Sequence, residues 1–378
     1  MIPFNKPWLS GREMDYMREG VEAGELCGDR SFSKKCQAFM EEKFGAHKVL
    51  LTTSCTSALE MAALLLDVGP GDEVILPSYT FVSTANAFLL RGAALRFVDI
   101  DPATLNIDPA RIADALTDRT KVIVPVHYAG VGCDMDAIMA MAKDKGIAVV
   151  EDAAQGVDAT YKGQYLGTIG DMGTYSFHET KNFVCGEGGA LIVNRESLIE
   201  RAEILREKGT NRSRFLRGQV DKYTWVDLGS SFLPSDILAA FLLAQLESKE
   251  TITGNRRAVF AAYHEKFENL ERTGLLRRPV IPADCGSNFH MYYILLDTIE
   301  TRTRLIEFLK QKNIHSVFHY VPLHSSPKGQ ELGFRGGTLP VTENLSVRLL
   351  RLPMYAGLSG EQVDYITDAV YEFFGLSL

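Results

Sequence analysis

Residues 147–155, IAVVEDAAQ, limit the possible folds more than any other part of the chain. Four consecutive apolar residues without polar alternation predict a strand covered on both faces, as in a parallel sheet flanked by helices. Glu151 and Asp152 then fall at the carboxyl end of that strand, where open α/β sheets hold their ligands. Strand-like runs recur at 48–51, 74–76, 95–100 and 121–126. Helical patterns lie at 12–24, 34–44 and 134–145, the last two stopping at Gly45 and Gly146 as glycine-capped helices do. Strands alternating with helices over the first half predict an α/β fold with a mostly parallel, doubly wound sheet.

A second stretch, 173–194, reads GTYSFHETKNFVCGEGGALIVN. It sets Lys181 between two strand-like runs, 174–177 and 190–193, with a glycine cluster before the second. A turn between buried strands desolvates a lysine and lowers its pKa, which suits an amine that condenses with a carbonyl as a Schiff base. Alone, the segment suits a solvated loop lysine better. The acid-ended strand upstream changes that balance. A buried carboxylate for a pyridine nitrogen and an amine for a Schiff base are the minimum apparatus of a pyridoxal phosphate enzyme.

Four motifs now occur in order: PSYTFVSTANA at 77–87, EDAAQ at 151–155, SFHETKN at 176–182 and GEGGA at 186–190. In sequence and spacing they resemble the DegT/DnrJ/EryC1/StrS family of sugar-nucleotide aminotransferases, and the likeness covers nearly the whole chain. The resemblance implies a fold-type I transferase that depends on pyridoxal 5'-phosphate. It implies Lys181 as the Schiff-base lysine, Asp152 on the pyridine nitrogen and Gln155 on the ring hydroxyl. Ser176, Cys55 and Thr56 are expected at the phosphate, and Phe81, rather than Tyr79, against the ring. In the family a neighbouring subunit supplies an asparagine to the phosphate. Here Ser231 stands at that position, and Leu233 replaces an arginine common two residues on. A homodimer with shared active sites follows as an expectation. The segment FHYVPLHSSP resembles a family element near the substrate, which makes His319 and Tyr320 candidates. The expected partners are a keto sugar carried on dTDP and an amino-acid donor such as glutamate, though no arginine is assigned to the donor's carboxylate. In related dehydratases a histidine replaces the lysine, so Lys181 points to amino transfer.

The residues support parts of this independently. Ser57 and Glu60 have capping-box spacing, so a helix should begin near Thr56, its free N–H groups favouring a phosphate; an ordinary capped helix is the alternative. The aperiodic run 209–225, rich in Arg, Asn, Tyr and Trp, suits a nucleotide diphosphate through Asn211, Arg212 and Tyr223, or is a solvated basic loop. His127, at a strand end, reads as packed rather than catalytic.

Other functions are excluded residue by residue. A net charge of -8 speaks against nucleic acid as a general partner. No run approaches the length of a membrane helix, and MIPFNKPWLSGRE lacks a signal peptide's basic and apolar regions. Six cysteines without paired spacing predict free thiols, a cytoplasmic location and no metal site. GEGGA lacks the GxGxxG spacing, Asn182 stands where HExxH needs its second histidine, and no GxSxG or P-loop occurs. A non-catalytic cofactor-binding protein is the rival from another class, but no effector segment is visible.

Residues 196–208 predict a helix, and a longer helical pattern from 237 is interrupted near Gly254. A boundary near 250 is expected, with residues 1–250 as a large cofactor-binding domain and 251–378 as a small α/β domain. The latter should hold strands at 291–296 and 316–318 and helices at 301–313, 343–350 and 359–373.

Overall fold

Seven strands form the central sheet of the computed structural model, which describes residues 1–377. They are β1 (Val49–Thr52), β2 (Glu73–Pro77), β3 (Ala94–Val98), β4 (Thr120–Ile123), β5 (Ala148–Asp152) and, after the hairpin β6 (Thr160–Tyr161) and β7 (Gln164–Tyr165), β8 (Met172–Ser176) and β9 (Gly189–Val193). Their order is β1-β9-β8-β5-β4-β2-β3. Only β9 runs against the others, pairing antiparallel with β8 and β1. The carboxyl ends of β1, β2, β4, β5 and β8 therefore share one edge.

Period-two alternation divides the strand residues between two cores. Val49, Leu51, Ile75, Val149 and Ile192 pack on one face with the helices Ser31–Phe44, Met135–Lys145 and Asp236–Glu247. Leu50, Val74, Leu76, Val150 and Leu191 pack on the other with Cys55–Leu65, Val82–Leu89 and Ile199–Arg206. Both faces are covered, which is why β5 needs an unbroken apolar run and why the doubly wound reading holds.

Several boundaries differ from the sequence expectation. The cap of Cys55–Leu65 is Ser54, which accepts from Ser57 N–H at 3.1 Å; the expected Ser57–Glu60 box lies one turn inside the helix. The 196–208 segment opens with a 3₁₀ turn, Glu196–Leu198, before Ile199–Arg206. The long helical pattern breaks at Ser248, which ends Asp236–Glu247 and begins Lys249–Lys266. Gly254 lies inside the second helix, where nothing approaches its missing side chain.

Beyond the helix Lys249–Lys266, β10 (Cys285–Gly286) joins the β6–β7 hairpin, and β11 (Tyr292–Leu295) pairs antiparallel with β12 (Leu349–Leu352). Helices Lys249–Lys266, Ile299–Gln311 and Gly360–Phe373 pack with this pair around Tyr263, Tyr292, Leu350, Leu352 and Ile366. The expected strand at 316–318 is reduced to one bridge, Val317 to Arg351. The expected helix 343–350 is Pro340–Arg348, and its last residues instead start β12. Leucine-rich 349–352 suits a helix by propensity, and pairing with β11 overrides it.

Candidate active site

A cavity of about 870 Å³ opens at the shared carboxyl edge of the sheet. Each strand end contributes: Ser54 to Thr56 after β1, Thr80 and Phe81 after β2, Val126 after β4, Asp152 from β5 and Ser176 from β8. Met291, Phe318, His319, Tyr320 and Arg351 close it from the C-terminal part, and Phe4 and Asn5 from the N-terminal segment.

Asp152 is 5% exposed and lines this cavity. Its Oδ2 accepts from Thr84 Oγ1 at 2.7 Å and its Oδ1 from Ala154 N–H at 3.1 Å. Glu151, fully buried, points the other way and accepts from the N–H groups of Gly167, Ile169 and Gly170 at 2.6–2.8 Å. His127 sits 2.9 Å from Glu151, while its Nδ1 accepts from Cys133 N–H at 3.1 Å. That leaves Nε2 as the protonated nitrogen, so His127 is packed structurally, outside the cavity.

Lys181 lies in the loop between β8 and β9 and faces the cavity. The loop is anchored by Asn182, whose Nδ2 donates to Asn288 O at 2.8 Å and whose Oδ1 lies 2.9 Å from His290 Nδ1. Burial of the amine lowers the Lys181 pKa, only partly opposed by Cys55 and Asp152, and Arg351 lowers it further. A lysine without its proton is a nucleophile, the property expected from the sequence.

At the other end, the helix Cys55–Leu65 directs its first N–H groups at the cavity, beside the Thr56 and Ser83 hydroxyls, 2.7 Å apart. Burial pushes the Cys55 thiol up, so it stays protonated. Gly189 explains the glycine cluster: a side chain there would overlap the backbone of Ser54 and Cys55. The missing Cβ lets β9 lie against the helix start.

The two aromatics after β2 separate as expected: Phe81 is 56% exposed at the cavity, whereas Tyr79 is buried against Tyr128. Gln155 accepts from Ala129 N–H at 2.7 Å and donates to Tyr320 Oη at 2.9 Å, which fixes its amide on the wall. His319 stacks on Tyr320 with ring centres 3.7 Å apart, and its Nδ1 lies 2.7 Å from Tyr128 Oη. Burial holds His319 and His290 well below the usual histidine pKa, so both are neutral.

Nine of the sequence candidates thus share one cavity: Lys181, Asp152, Gln155, Ser176, Cys55, Thr56, Phe81, His319 and Tyr320. Four do not line it. Asn211 accepts from Thr224 N–H at 2.8 Å and staples its own loop, and Arg212 pairs with Glu207 at 2.8 Å. Tyr223 is exposed beside Phe215, and Ser231 is exposed and bridged by its backbone to Glu207. Local contacts engage Asn211 Oδ1 and Arg212 Nη1 and leave the Asn211 amide nitrogen and the remaining Arg212 nitrogens without side-chain partners among the described residues.

The sequence reading missed Thr84, His290 and Arg351. Thr84 had a signal, being three residues after Phe81 and so in the first turn of the next helix. Arg351 had a weaker one, a charge inside the apolar run LLRL.

A cavity with a nucleophilic amine, a buried carboxylate, a helix N-terminus lined with hydroxyls and an exposed phenyl ring has a place for each part of pyridoxal 5'-phosphate. Fold and cavity define a pyridoxal phosphate-dependent aminotransferase of fold type I. The sequence profile of the DegT/DnrJ/EryC1/StrS aminotransferase family matches residues 11–371. The spore coat polysaccharide biosynthesis protein SpsC of Bacillus subtilis is 35% identical, over 98% of this chain and 96% of its own. GDP-perosamine synthase of Escherichia coli O157:H7 is 32% identical, over 99% and 98%. The PLP form of Spr1654 from Streptococcus pneumoniae superposes with a TM-score of 0.90 at 27% identity, covering 98% of each chain. This chain belongs to the DegT/DnrJ/EryC1/StrS family, and it is a sugar aminotransferase.

Proposed function

We propose that the enzyme moves an amino group from L-glutamate to a dTDP-4-keto-6-deoxyhexose, giving dTDP-4-amino-4,6-dideoxygalactose for enterobacterial common antigen. The observation that carries amino transfer is that Lys181 and Asp152 face one cavity. The sugar rests on sequence: GTNRSRFLRGQVDKYTW at 209–225 and the opening MIPFNKP resemble the dTDP-4-amino-4,6-dideoxygalactose transaminase. A second reading, another nucleotide-linked keto sugar or another ring carbon, is favoured by the full-length similarity to GDP-perosamine synthase.

When bound, pyridoxal 5'-phosphate supplies a ring that withdraws electrons from the carbon losing its proton. Asp152, oriented by its hydrogen bonds from Thr84 and Ala154, would face the pyridine nitrogen and hold the proton there. Gln155, already positioned by Ala129 and Tyr320, would orient the ring through its hydroxyl. Thr56, Ser176 and the N–H groups near Cys55 would bind the phosphate. Phe81 would cover one ring face. Lys181 Nζ would hold the cofactor and, as a free amine, would serve as the base that moves the proton at the donor Cα and, for the second substrate, at the sugar carbon.

Two copies of the chain would complete each site. Trp225, Tyr223 and Leu228 are all more than half exposed on the run that carries Asn211 and Arg212, and Ser231 follows closely. Pairing would cover these apolar residues and present Ser231 to the partner's phosphate site and the loop to its nucleotide. Six free cysteines suit the cytoplasm.

Turnover by the purified enzyme with a panel of dTDP- and GDP-linked 3- and 4-keto sugars and several amino donors tests the proposal. The dTDP-4-keto-6-deoxyhexose should have the highest kcat/KM. Preference for a 3-keto or a GDP-linked sugar would overturn the substrate assignment while keeping amino transfer.

A further inference from the structure

The cavity contains a guanidinium that has no carboxylate partner among the described residues. Arg351 projects from β12 on the face opposite Leu350 and Leu352, which enter the C-terminal core. Its Nε and Nη2 donate to one acceptor, the carbonyl oxygen of Phe318, at 3.3 and 3.1 Å. Its Cζ lies 4.7 Å from the centre of the Phe4 ring. Tyr128, Tyr320 and Tyr79 are the groups whose fields act on it, and burial lowers its pKa below the usual guanidinium range.

Several other enclosed arginines have carboxylate partners, whereas Arg302 lies over the Phe318 ring with no hydrogen-bond partner for its buried Nε. Arg206 pairs with Asp29, Arg201 with Asp67 and Asp227, and Arg278 with Glu271. Arg256, buried without a carboxylate, donates to the carbonyls of Phe289, His290 and Met354. Arg351 shares one carbonyl between two nitrogens and keeps Nη1 without a partner among the described residues. A partly buried cation with donors to spare, lining a cavity, favours an anion that arrives with a ligand.

Four anionic groups enter such a cavity under the proposed function, and the γ-carboxylate of glutamate is held away from the reacting carbon by two methylene groups. The cofactor phosphate belongs at the N-terminus of Cys55–Leu65, which gives it donors on the large sheet. A sugar-linked diphosphate is held away from the reacting carbon by the pyranose ring. A donor's α-carboxylate is bonded to the carbon that bears the transferred nitrogen, so it must sit close to Lys181. Arg351 is near enough to Lys181 to depress its pKa. We infer that Arg351 is the subsite for the α-carboxylate of the amino donor, engaging it through Nη1 and Nη2. The planar fork matches a carboxylate in two parallel hydrogen bonds, and Phe4 beneath it fixes the plane. This assignment rests on the aminotransferase reading above and adds the residue that selects an amino acid over a simple amine.

The test separates the two half-reactions of the holoenzyme by following the cofactor's absorbance. Arg351→Met should raise the half-saturating glutamate concentration at least tenfold and leave that for the keto-sugar nucleotide, measured from the aminated form, within twofold. Arg351→Lys, which keeps the charge without the fork, should fall between. Wild type should prefer glutamate to 4-aminobutyrate, which lacks the α-carboxylate, and Arg351→Met should lose most of that preference. Calorimetric titration with glutarate, which has carboxylates and no amine, should give weaker binding to Arg351→Met. Because Arg351 also supports Phe318, the comparison is valid for variants that keep the resting cofactor spectrum, and Arg351→Lys serves where Arg351→Met does not fold. Unchanged glutamate saturation, or weakened sugar-nucleotide saturation instead, overturns the subsite. A yellow wild-type enzyme that accepts no amino group from any amino acid overturns the functional reading, and the subsite with it.

Discussion

Glu151 and Asp152, adjacent on β5, face opposite ways and do different work: Glu151 closes a buried cage of backbone N–H groups, and Asp152 faces the cavity. Alternation along a strand makes this unavoidable. Substitution should separate stability from chemistry. Glu151→Gln turns an acceptor into a donor among three N–H groups and His127, and should cost about 3 kcal/mol of stability. Asp152→Asn should cost less stability, since the Thr84 hydroxyl can turn to accept from the new amide, and should lower kcat about a hundredfold or more, because proton placement on the ring is lost. Chemical denaturation and steady-state kinetics on both variants check the division.

Lys181 carries an expected cost that its chemistry offsets. Its pKa in the folded protein is lowered, so the native state binds fewer protons there than the unfolded chain. Stability therefore rises with pH between the lowered value and 10.5, and is reduced below it, where a buried amine must be charged or discharged. In the cofactor-free protein, Lys181→Met should raise the thermal midpoint at neutral pH, and the difference should shrink towards pH 10.5. Scanning calorimetry at several pH values measures this; a gap that widens with pH would mean that the ammonium is stabilised. Lys181→Ala, given pyridoxal 5'-phosphate, should lack the yellow absorbance of a lysine-bound cofactor.

The sheet was readable because its signals are local. Uninterrupted apolar runs at β2 and β5, and Gly146 in the left-handed conformation after Met135–Lys145, each report burial or chain reversal within a few residues. The cavity residues on β1, β2, β5 and β8 were readable for the same reason, since a strand end fixes their edge. Arg351 and His290 were not. They reach the site from elements whose approach depends on packing between distant segments, and nothing near residue 351 in sequence says which wall it will face. The cap at Ser54 was missed because Ser57 with Glu60 matches the capping box whereas Ser54, followed three residues on by Ser57, does not, and the end of β1 at Thr52 brings the helix start earlier.

Gly189 should be intolerant of even one carbon. Alanine there would press on the backbone of Ser54 and Cys55 and displace the helix start that faces the cavity. The expected cost is about 1–3 kcal/mol, together with a loss of cofactor affinity larger than that of Gly254→Ala, whose added methyl meets open space. Cofactor titration by fluorescence quenching on the two variants provides the comparison.

Thr84 supplies the last prediction, because its hydroxyl is the side-chain donor that holds Asp152. Thr84 Oγ1 lies 2.7 Å from Asp152 Oδ2 and 2.8 Å from Thr80 Oγ1, which forms a short buried chain behind the carboxylate. Thr84→Val keeps the shape and deletes the donor, which removes a hydrogen bond to a charged group worth about 1.5–3 kcal/mol. Asp152 then keeps Ala154 N–H as a donor but loses its fixed orientation. Cofactor affinity and kcat should each fall about tenfold, since a 1.4 kcal/mol loss of alignment is one decade. Thr84→Ser, which keeps the hydroxyl, should recover most of both. Equal losses in Val and Ser variants would mean that the methyl group's packing, rather than the hydroxyl, is what Asp152 needs.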